Sequence, residues 1–397
     1  MRKEVSRNVS PYLWILGLGH LIVDLAQGIL PVLAPVLAQS FHLSYFQVGT
    51  VALAFTCSSA IIQPVFGVLS DRYIMPWLMP LGLLLSGLGL ALTGVVNSYG
   101  LLLLAVLLSG IGVAAYHPEG SKVAHYVSDA KRAGSSMAVF SVGGNLGFGL
   151  GPLLATLVLS IAGQNAIPAL MIPGVLAALA FLFLLPRFTN ILAGKLIRKQ
   201  EHEEKAAPGC GRLGSLTLLL LYVTTRSWIQ SGLVYFIPFY FPHFRGIAEP
   251  EYLVSTFLIA GAVGTIVGGP FADRFGGRNG MVGSMLAALI TVYPFLHLDG
   301  GLLPVLAFIA GAGLVSTFST TVVYGQRLFP HNIGLASGLL LGFGVGMGSI
   351  GVTLLGAIAD RFGLPITMGI ISLLPAVGIL LALVLPDEGM LRQHIES

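Results

Sequence analysis

Charged residues are scarce in this chain. Of its 397 residues, 9% are Asp, Glu, Lys or Arg and 55% are apolar, and the mean hydropathy is +0.89. A soluble domain carries about 25% charged residues because its surface must face water. The shortage therefore excludes a soluble enzyme. It also excludes a nucleic-acid-binding protein, although the formal net charge is +4.

Cysteine is almost absent, which excludes a fold held together by a disulfide framework. Cys57 lies in an apolar run and Cys210 in a polar stretch, so we expect no bond between them. The helical His-Glu-x-x-His spacing of zinc enzymes is also missing. We therefore expect no metal site, no cofactor and no enzymatic activity.

Apolar runs long enough to cross a bilayer are abundant instead. A membrane-spanning helix needs roughly 20 mostly apolar residues, and such runs form two sets of six on either side of a polar stretch. They cover about 11–37, 47–69, 77–96, 99–126, 136–162 and 166–186, and then about 213–241, 252–272, 280–298, 302–328, 335–359 and 364–385. The sequence thus predicts an all-α membrane protein with twelve transmembrane helices.

The two sets of six runs share short motifs. Gly-Val-Leu-Ser-Asp-Arg at 67–72 recurs as Gly-Pro-Phe-Ala-Asp-Arg at 269–274, and the glycine-rich segment 143–152 recurs as 342–351. Two parallel repeats with a binding site between them are a common plan of transporters. Close helix packing is the expected role of the glycine-rich segments, because small residues let helices approach.

These repeats predict two pseudo-symmetric six-helix bundles, an N-terminal one at 1–186 and a C-terminal one at 213–397. A cytoplasmic linker at 187–212 would join them. If both termini are cytoplasmic, sixteen Lys and Arg residues fall on that side and two, Arg245 and Arg361, on the other. Cytoplasmic loops carry such an excess. We therefore expect a monomeric multi-pass protein of a bacterial cytoplasmic (inner) membrane, in contact with the lipid bilayer and not with nucleic acid.

A few ionisable side chains interrupt the predicted spans. A charge at mid-membrane costs about 2.5–3.5 kcal/mol on insertion scales, so such groups are usually functional and face a partner or a wet cavity. They are His20 and Asp24 in the first span, His117, Glu119, Lys122 and His125 in the fourth, Arg226 in the seventh and His297 near the end of the ninth.

Two sets of motifs resemble a known transporter family. The segment from Gly269 to Arg278 is similar to the loop between the second and third spans of each half in the major facilitator superfamily. The first copy keeps Gly67 and its Asp-Arg pair, but departs afterwards. A third partial copy, at 360–363, falls on the opposite side and is taken as coincidence.

The fourth span makes the resemblance more specific. Ala-Tyr-His-Pro-Glu-Gly-Ser-Lys-Val-Ala-His at 115–125, the glycine-rich segment 143–152 and the pair His20 and Asp24 resemble the fosmidomycin-resistance type of this superfamily. The resemblance implies a twelve-helix fold whose first, fourth, seventh and tenth spans line a central cavity. It also implies export of drugs driven by the proton gradient.

The residues then receive expected roles. Asp24 and Glu119, with His117, would take up and release protons, and Arg226 would bind an anionic group as a planar fork. The remaining substrate-binding candidates are His20, Tyr116, Lys122, Asn145 and Gln230. The candidates for gating the cytoplasmic side are Asp71, Arg72, Asp273, Arg274 and Arg278.

Several alternatives stay open. Asp24 with Arg226, and Glu119 with Lys122, could be ion pairs that only hold the helices together. The same carboxylates would also serve an uptake symporter for a small organic acid or another metabolite. An intramembrane metalloenzyme built on His20, His117 and Glu119 lacks the expected spacing. A substrate sensor would need a signalling domain, and none is predicted.

Overall fold

The computed structural model describes residues 11–127, 133–199, 213–328 and 333–386, and its elements there are helices. The α-helices are α1 (Pro11–Phe41), α2 (Tyr45–Arg72), α3 (Leu78–Thr93), α4 (Tyr99–Val127), α5 (Ala133–Ala162), α6 (Met171–Lys199), α7 (Leu213–Tyr240), α8 (Glu251–Phe275), α9 (Gly277–His297), α10 (Leu303–Val315), α11 (Phe318–Leu328), α12 (Ile333–Phe362) and α13 (Leu364–Val384). A 3-10 helix at Gly163–Leu170 precedes α6, and a π-helical turn at Phe241–Arg245 follows α7.

These helices make the twelve predicted spans, because α10 and α11 are two segments of one. In the described ranges, nine stretches are long and apolar enough to cross a membrane, and one of them covers both α5 and α6. The short helix α3 and helix α7, which polar residues such as Arg226 and Gln230 interrupt, complete the twelve. The tenth span, expected as one helix, breaks between Val315 and Phe318, where Ser316 Oγ donates to the Gly313 carbonyl oxygen at 2.7 Å. Such local bonds compete with regular helix geometry.

The spans divide into a first half, α1–α6, and a second half, α7–α13. Buried apolar side chains form two clusters. One lies within the first half. The other lies in the second half and also includes Ala34, Val48 and Ala52 of the first half. Helix α6 continues to Lys199. The first part of the linker predicted at 187–212 is therefore helical. The predicted linker continues through 200–212, which lies outside the described residues, and the division into domains stays a prediction.

Helix α1 packs backbone to backbone against α5, and glycine makes this possible. A methyl group added at Gly143 would lie 2.0 Å from the Gly17 carbonyl oxygen, and one at Gly147 would lie 2.1 Å from the Leu21 carbonyl oxygen. No side chain fits at such distances. The packing role predicted for the segment 143–152 is therefore confirmed.

The two halves meet at one end of the molecule. We call the end where α6 stops and α7 starts the linker end, and the opposite one the distal end. Near the distal end, a methyl group at Gly49 of α2 would lie 2.4 Å from Thr353 Cα of α12. Closer to the middle, Thr56 Oγ1 and Ser349 Oγ share a 2.6 Å hydrogen bond between the same helices. These contacts close the distal side.

Asp360 completes the distal closure, although the sequence motif around it had been taken as coincidence. Its carboxylate, from the last turn of α12, accepts hydrogen bonds from the backbone N–H groups of Tyr45 (2.7 Å) and Phe46 (2.8 Å) at the start of α2. Ser44 Oγ accepts the N–H of Gln47. The first N–H groups of a helix lack internal partners and favour a negative charge, so Asp360 acts as a cap supplied by the opposite half.

We predict that Asp360→Asn weakens the distal closure. Removing the charge is expected to cost about 1 kcal/mol, which changes the balance between distal-closed and distal-open states roughly five-fold. Spin labels at His42 and Phe362, with Cys57 and Cys210 replaced by serine, would report this as a larger long-distance fraction in pulsed electron resonance.

Asp299→Asn is the matched control. Asp299 also accepts a hydrogen bond near the distal end, from Arg245 Nη2 at 2.5 Å, but both residues belong to the second half. Its removal should leave the label distances as in the wild type. Equal distance distributions in all three proteins would show that Asp360 does not hold the halves together.

Candidate functional site

A cavity of about 420 Å³ lies at mid-membrane between the two halves. A space between two helical bundles is where transporters of this plan hold a small molecule. Its polar lining consists of His20, Asp24, Gln27, Thr56, Ser141 and Asn145 from the first half, and Arg226, Ser227, Gln230, Ser231, Tyr235, Thr265 and Ser349 from the second.

Three ionisable side chains converge at the first-half wall, and we call them the Asp24 cluster: His20, Asp24 and His117. His20 lies one turn before Asp24 on α1, and its Nε2 is 3.1 Å from Asp24 Oδ2. His117 reaches in from α4, with its Nε2 3.2 Å from Asp24 Oδ1. The two Nε2 atoms lie 3.1 Å apart. The sequence predicted each residue but not their meeting point.

Backbone contacts set the orientation of both imidazoles. His20 Nδ1 is 2.8 Å from the Phe140 carbonyl oxygen, and His117 Nδ1 is 2.8 Å from the Val113 carbonyl oxygen. A carbonyl can only accept, so each Nδ1 carries the hydrogen and donates it. Both Nε2 atoms of the neutral rings are then acceptors that face each other and the carboxylate. Because these groups offer only hydrogen-bond acceptors to one another, the cluster attracts a proton or another cation.

Arg226 lies at mid-span on α7, in the other wall of the cavity. Its side chain is 4% exposed, and its guanidinium carbon lies 5.2 Å from the centre of the Phe318 ring. Among the described residues, Nε and Nη1 have no hydrogen-bond acceptor. Burying such a charge is costly unless a partner compensates it. The ion pair with Asp24 that the sequence left open does not form, so the guanidinium is available to an anionic ligand.

Glu119 and Lys122 form the other ion pair that the sequence left open. Lys122 Nζ is 2.9 Å from Glu119 Oε2, and Glu119 is fully buried. Lys122 Nζ also donates to the Ser70 carbonyl oxygen at 2.5 Å. Neither residue lines the cavity. This placement favours a role in holding α4 to α2 over the proton and substrate roles predicted for the two residues.

Of the remaining substrate candidates, two line the cavity and one does not. Asn145 and Gln230 line the cavity, as predicted for substrate contacts. Tyr116 does not, because it is completely buried and its hydroxyl donates to the Leu16 carbonyl oxygen at 2.6 Å. It supports the wall behind His20, whose ring stacks at 6.4 Å from that of Tyr116.

Uncharged lining residues were missed by the sequence reasoning. Ser227 and Ser231 flank Gln230 on the cavity side of α7, and Phe318 begins α11. Ser227 lies three residues before the candidate Gln230 and four before Ser231, and this helical spacing could have suggested the two serines. Nothing in the sequence pointed to Phe318, because its position depends on the break in the tenth span.

The gating candidates lie at the linker end. The side chains of Asp71, Arg72 and Asp273, and that of His125, are outside the described part of the structure. Arg274 is exposed, and the Arg278 guanidinium donates to the Leu383 carbonyl oxygen, which ties α9 to the end of α13. Their predicted gating role stays a prediction.

Comparison with known proteins identifies the family. The pattern that defines the Major Facilitator Superfamily matches residues 16–248 and 245–394, which together span nearly the whole chain. The chain belongs to the major facilitator superfamily. It is therefore a membrane transporter and not an enzyme, as the sequence predicted.

Two similar members of the superfamily come from bacteria. The chain is 36% identical over 98% of its length to an uncharacterized MFS-type transporter, YfnC, of Bacillus subtilis (strain 168), covering 96% of that protein. It is 34% identical over 96% of its length to the fosmidomycin resistance protein of Escherichia coli (strain K12), covering 94% of that protein. The resemblance to the fosmidomycin-resistance type is thereby confirmed.

Solved structures of the superfamily share the fold. An inward-facing, unoccupied bacterial homolog of the human lysosomal transporter Spinster aligns with a TM-score of 0.75 at 16% identity, over 94% of this chain and 97% of that one. The inward-open xylose transporter XylE of E. coli aligns with a TM-score of 0.73 at 12% identity, over 94% and 96% of the two chains.

We predict that Lys122→Met destabilises the protein, because it removes the ammonium group beside a fully buried carboxylate. Breaking a buried pair from one side typically costs about 3–5 kcal/mol. Thermal unfolding of the detergent-solubilised protein would show it as a lower Tm. The double variant Glu119→Gln with Lys122→Met should recover most of that loss. A single variant as stable as the wild type would contradict a structural role for the pair.

Proposed function

We propose that this transporter exports small anionic compounds from the bacterial cytoplasm in exchange for protons. The observation that supports the proposal most directly is that Arg226 lines the cavity from one half, and His20 and Asp24 of the Asp24 cluster line it from the other. Arg226 offers N–H donors to an anionic group as a planar fork. The cluster offers acceptors to protons, so the proton gradient is the energy source. Each chain contains a whole cavity, and we propose that a monomer transports.

Coupling in this proposal arises from competition for the same acceptors. A compound that carries a hydroxyl or N–H donor beside its anionic group can place the anion on Arg226 and the donor on the Asp24 cluster. The cluster accepts such a hydrogen bond when it holds no proton. Proton binding then expels the donor, and donor binding expels the proton, which is the condition for exchange.

Alternating access would be carried by the contact between the halves. We place the linker end in the cytoplasm because of the excess of cations there, so the distal contacts close the described state on the outer side of the membrane. Loss of the Asp360 cap and of the Thr56–Ser349 hydrogen bond would let the halves rock apart at the distal end. The cavity would then exchange its anion for a proton outside.

The substrate class rests on Arg226 and on one relative. A phosphonate or other compact anion matches a guanidinium whose Nε and Nη1 meet no acceptor in the described part of the chain. The E. coli relative is named for resistance to fosmidomycin, so we propose fosmidomycin and similar anions as the first compounds to test.

Uptake symport of a small organic acid is the second candidate. A relative in Cupriavidus pinatubonensis, 26% identical over 85% of this chain, is described as a probable 4-methylmuconolactone transporter. An anion without donor groups would not compete with the proton. It would bind Arg226 more readily when the Asp24 cluster is protonated, because the added positive charge attracts it. Proton and anion would then travel together.

The two candidates predict opposite pH dependence of binding. For exchange, the affinity of the purified protein for the compound falls as the pH is lowered, because protons occupy the acceptors. For symport, the affinity rises. Calorimetric titration of fosmidomycin at several pH values would separate them, and Asp24→Asn should flatten the pH dependence in either case. A pH-independent affinity in the wild type would contradict coupling through this cluster.

We further predict that adding the transported anion releases protons from inverted membrane vesicles whose interior has been acidified. A pH-sensitive dye would report the release as dequenching. Asp24→Asn should abolish it, since the cluster loses its charge. Asp299→Asn, which neutralises a carboxylate outside the cavity, is the control and should behave as the wild type. Unchanged dequenching in Asp24→Asn would contradict the coupling role.

Substitution of the guanidinium tests its role separately. We expect Arg226→Lys to bind the anion at least about ten-fold more weakly, and to rescue little of what Arg226→Ala loses, because an ammonium cannot form a planar fork. Arg361→Lys is the control, since Arg361 also lies over an aromatic ring, at 5.4 Å from the Phe362 centre, but near the distal end. Equal affinity of Arg226→Lys and wild type would reduce Arg226 to a point charge.

A further inference from the structure

The Asp24 cluster has the geometry of a metal site as well as that of a proton site. We propose that His20, Asp24 and His117 bind a divalent transition-metal ion of the Zn²⁺ or Co²⁺ class. Among the described residues, it is the one group of three or more His, Cys, Asp or Glu side chains whose ligand atoms all lie within 4.8 Å of one another. The sequence analysis expected no metal site.

The spacing of the ligand atoms suits one ion. The two Nε2 atoms lie 3.1 Å apart, and each faces a different oxygen of Asp24: His20 Nε2 is 3.1 Å from Oδ2 and His117 Nε2 is 3.2 Å from Oδ1. Bonds from such an ion to imidazole nitrogen and carboxylate oxygen are about 2.0–2.2 Å long. Two bonds of about 2.1 Å to these nitrogens would meet at an angle of roughly 95°. This angle lies between the octahedral and the tetrahedral value, so the two imidazoles need little rearrangement to share an ion, and either carboxylate oxygen can reach it.

The outer contacts of the imidazoles also match those of metal ligands. A metal-binding histidine usually donates its second ring N–H to a carbonyl or carboxylate, which fixes the tautomer and the ring orientation. His20 does so to Phe140 and His117 does so to Val113, each at 2.8 Å. Both Nε2 lone pairs are thereby aimed at the same point beside Asp24. Two imidazoles and one carboxylate suit a transition ion better than Ca²⁺ or Mg²⁺, which prefer all-oxygen sites.

The site is open to the cavity, which leaves room for further ligands. His20, Asp24 and Gly144 all line that cavity. Gly144 matters because a methyl group there would lie 2.5 Å from His20 Nε2 and 2.6 Å from Asp24 Oδ2. Its missing side chain keeps the carboxylate and the imidazole reachable. Water or an anionic group in the cavity could complete the coordination of an ion held by three protein ligands.

Direct binding to the purified full-length protein tests this inference without any transport assay. The protein would carry an affinity tag free of histidine, and Co²⁺ would be titrated while its visible absorption is recorded. Zn²⁺ should displace Co²⁺ and Mg²⁺ should not. We expect His20→Gln, His117→Gln and Asp24→Asn each to weaken binding by about 100-fold or more, because loss of an outer-sphere partner alone costs 10–100-fold.

His243→Gln is the matched control. The His243 Nδ1 is 2.8 Å from the carbonyl oxygen four residues earlier, as in His117, but His243 belongs to no cluster of three ligands within the described ranges. Its affinity for Co²⁺ should equal that of the wild type. Wild-type protein that binds no Co²⁺, or cluster variants that bind it as tightly as His243→Gln, would overturn the proposal.

A second measurement uses only the wild-type protein, so it does not depend on whether a variant folds. Diethylpyrocarbonate modifies accessible imidazoles, and peptide mass spectrometry locates the modified residues. Zn²⁺ should protect His20 and His117 and leave His243 reactive; equal modification with and without Zn²⁺ would contradict the site. Metal binding is measured without a transport assay. A protein that binds no metal would therefore not contradict proton exchange, and a protein that exchanges no protons would not contradict the metal site.

Discussion

A charge in the middle of a bilayer has no water to stabilise it, and the arrangement of this protein follows from that constraint. Glu119 is compensated by Lys122 at 2.9 Å. Asp24 faces two imidazoles at 3.1 and 3.2 Å, which compensate its charge only when the cluster holds a proton or another cation. Among the described residues, Arg226 has the face of Phe318 and no carboxylate partner. The Glu119–Lys122 pair thus belongs to the scaffold, whereas Asp24 and Arg226 face the cavity.

Much of this could be predicted from the sequence because lipid imposes a simple rule on composition. Apolar length gave the twelve spans, and the scarcity of charge made His20, Asp24, His117 and Arg226 conspicuous. The partners of these residues could not be predicted, since they depend on how helices far apart in sequence are rotated. His117 on α4 meets Asp24 on α1, yet a pair of Asp24 with Arg226 was equally compatible with the sequence. The pair of Glu119 with Lys122 was named beforehand, because the two residues are three positions apart on one helix.

Residues without charge were the hardest to predict. The break before Phe318 places an aromatic ring against Arg226, and the polar residues around it, such as Ser316 and Thr317, do not by themselves predict a break in the helix. Asp360 was visible, but its motif resembled a loop from the other side of the membrane and was set aside. The physical reason for its position is the start of α2, whose unpaired N–H groups need an acceptor wherever they come from. Considering helix ends as well as motifs would have found it.

The glycine contacts between α1 and α5 have a mechanical consequence. Two helices that touch through their backbones, with no side chains between them, can neither slide nor roll past each other without a collision. They form one rigid unit, and the hydrogen bond from His20 to Phe140 holds the His20 and Asp24 part of the cluster on it. His117 comes from α4. A bound cation would therefore tie α4 to this unit, and movement during transport would be concentrated where the two halves meet.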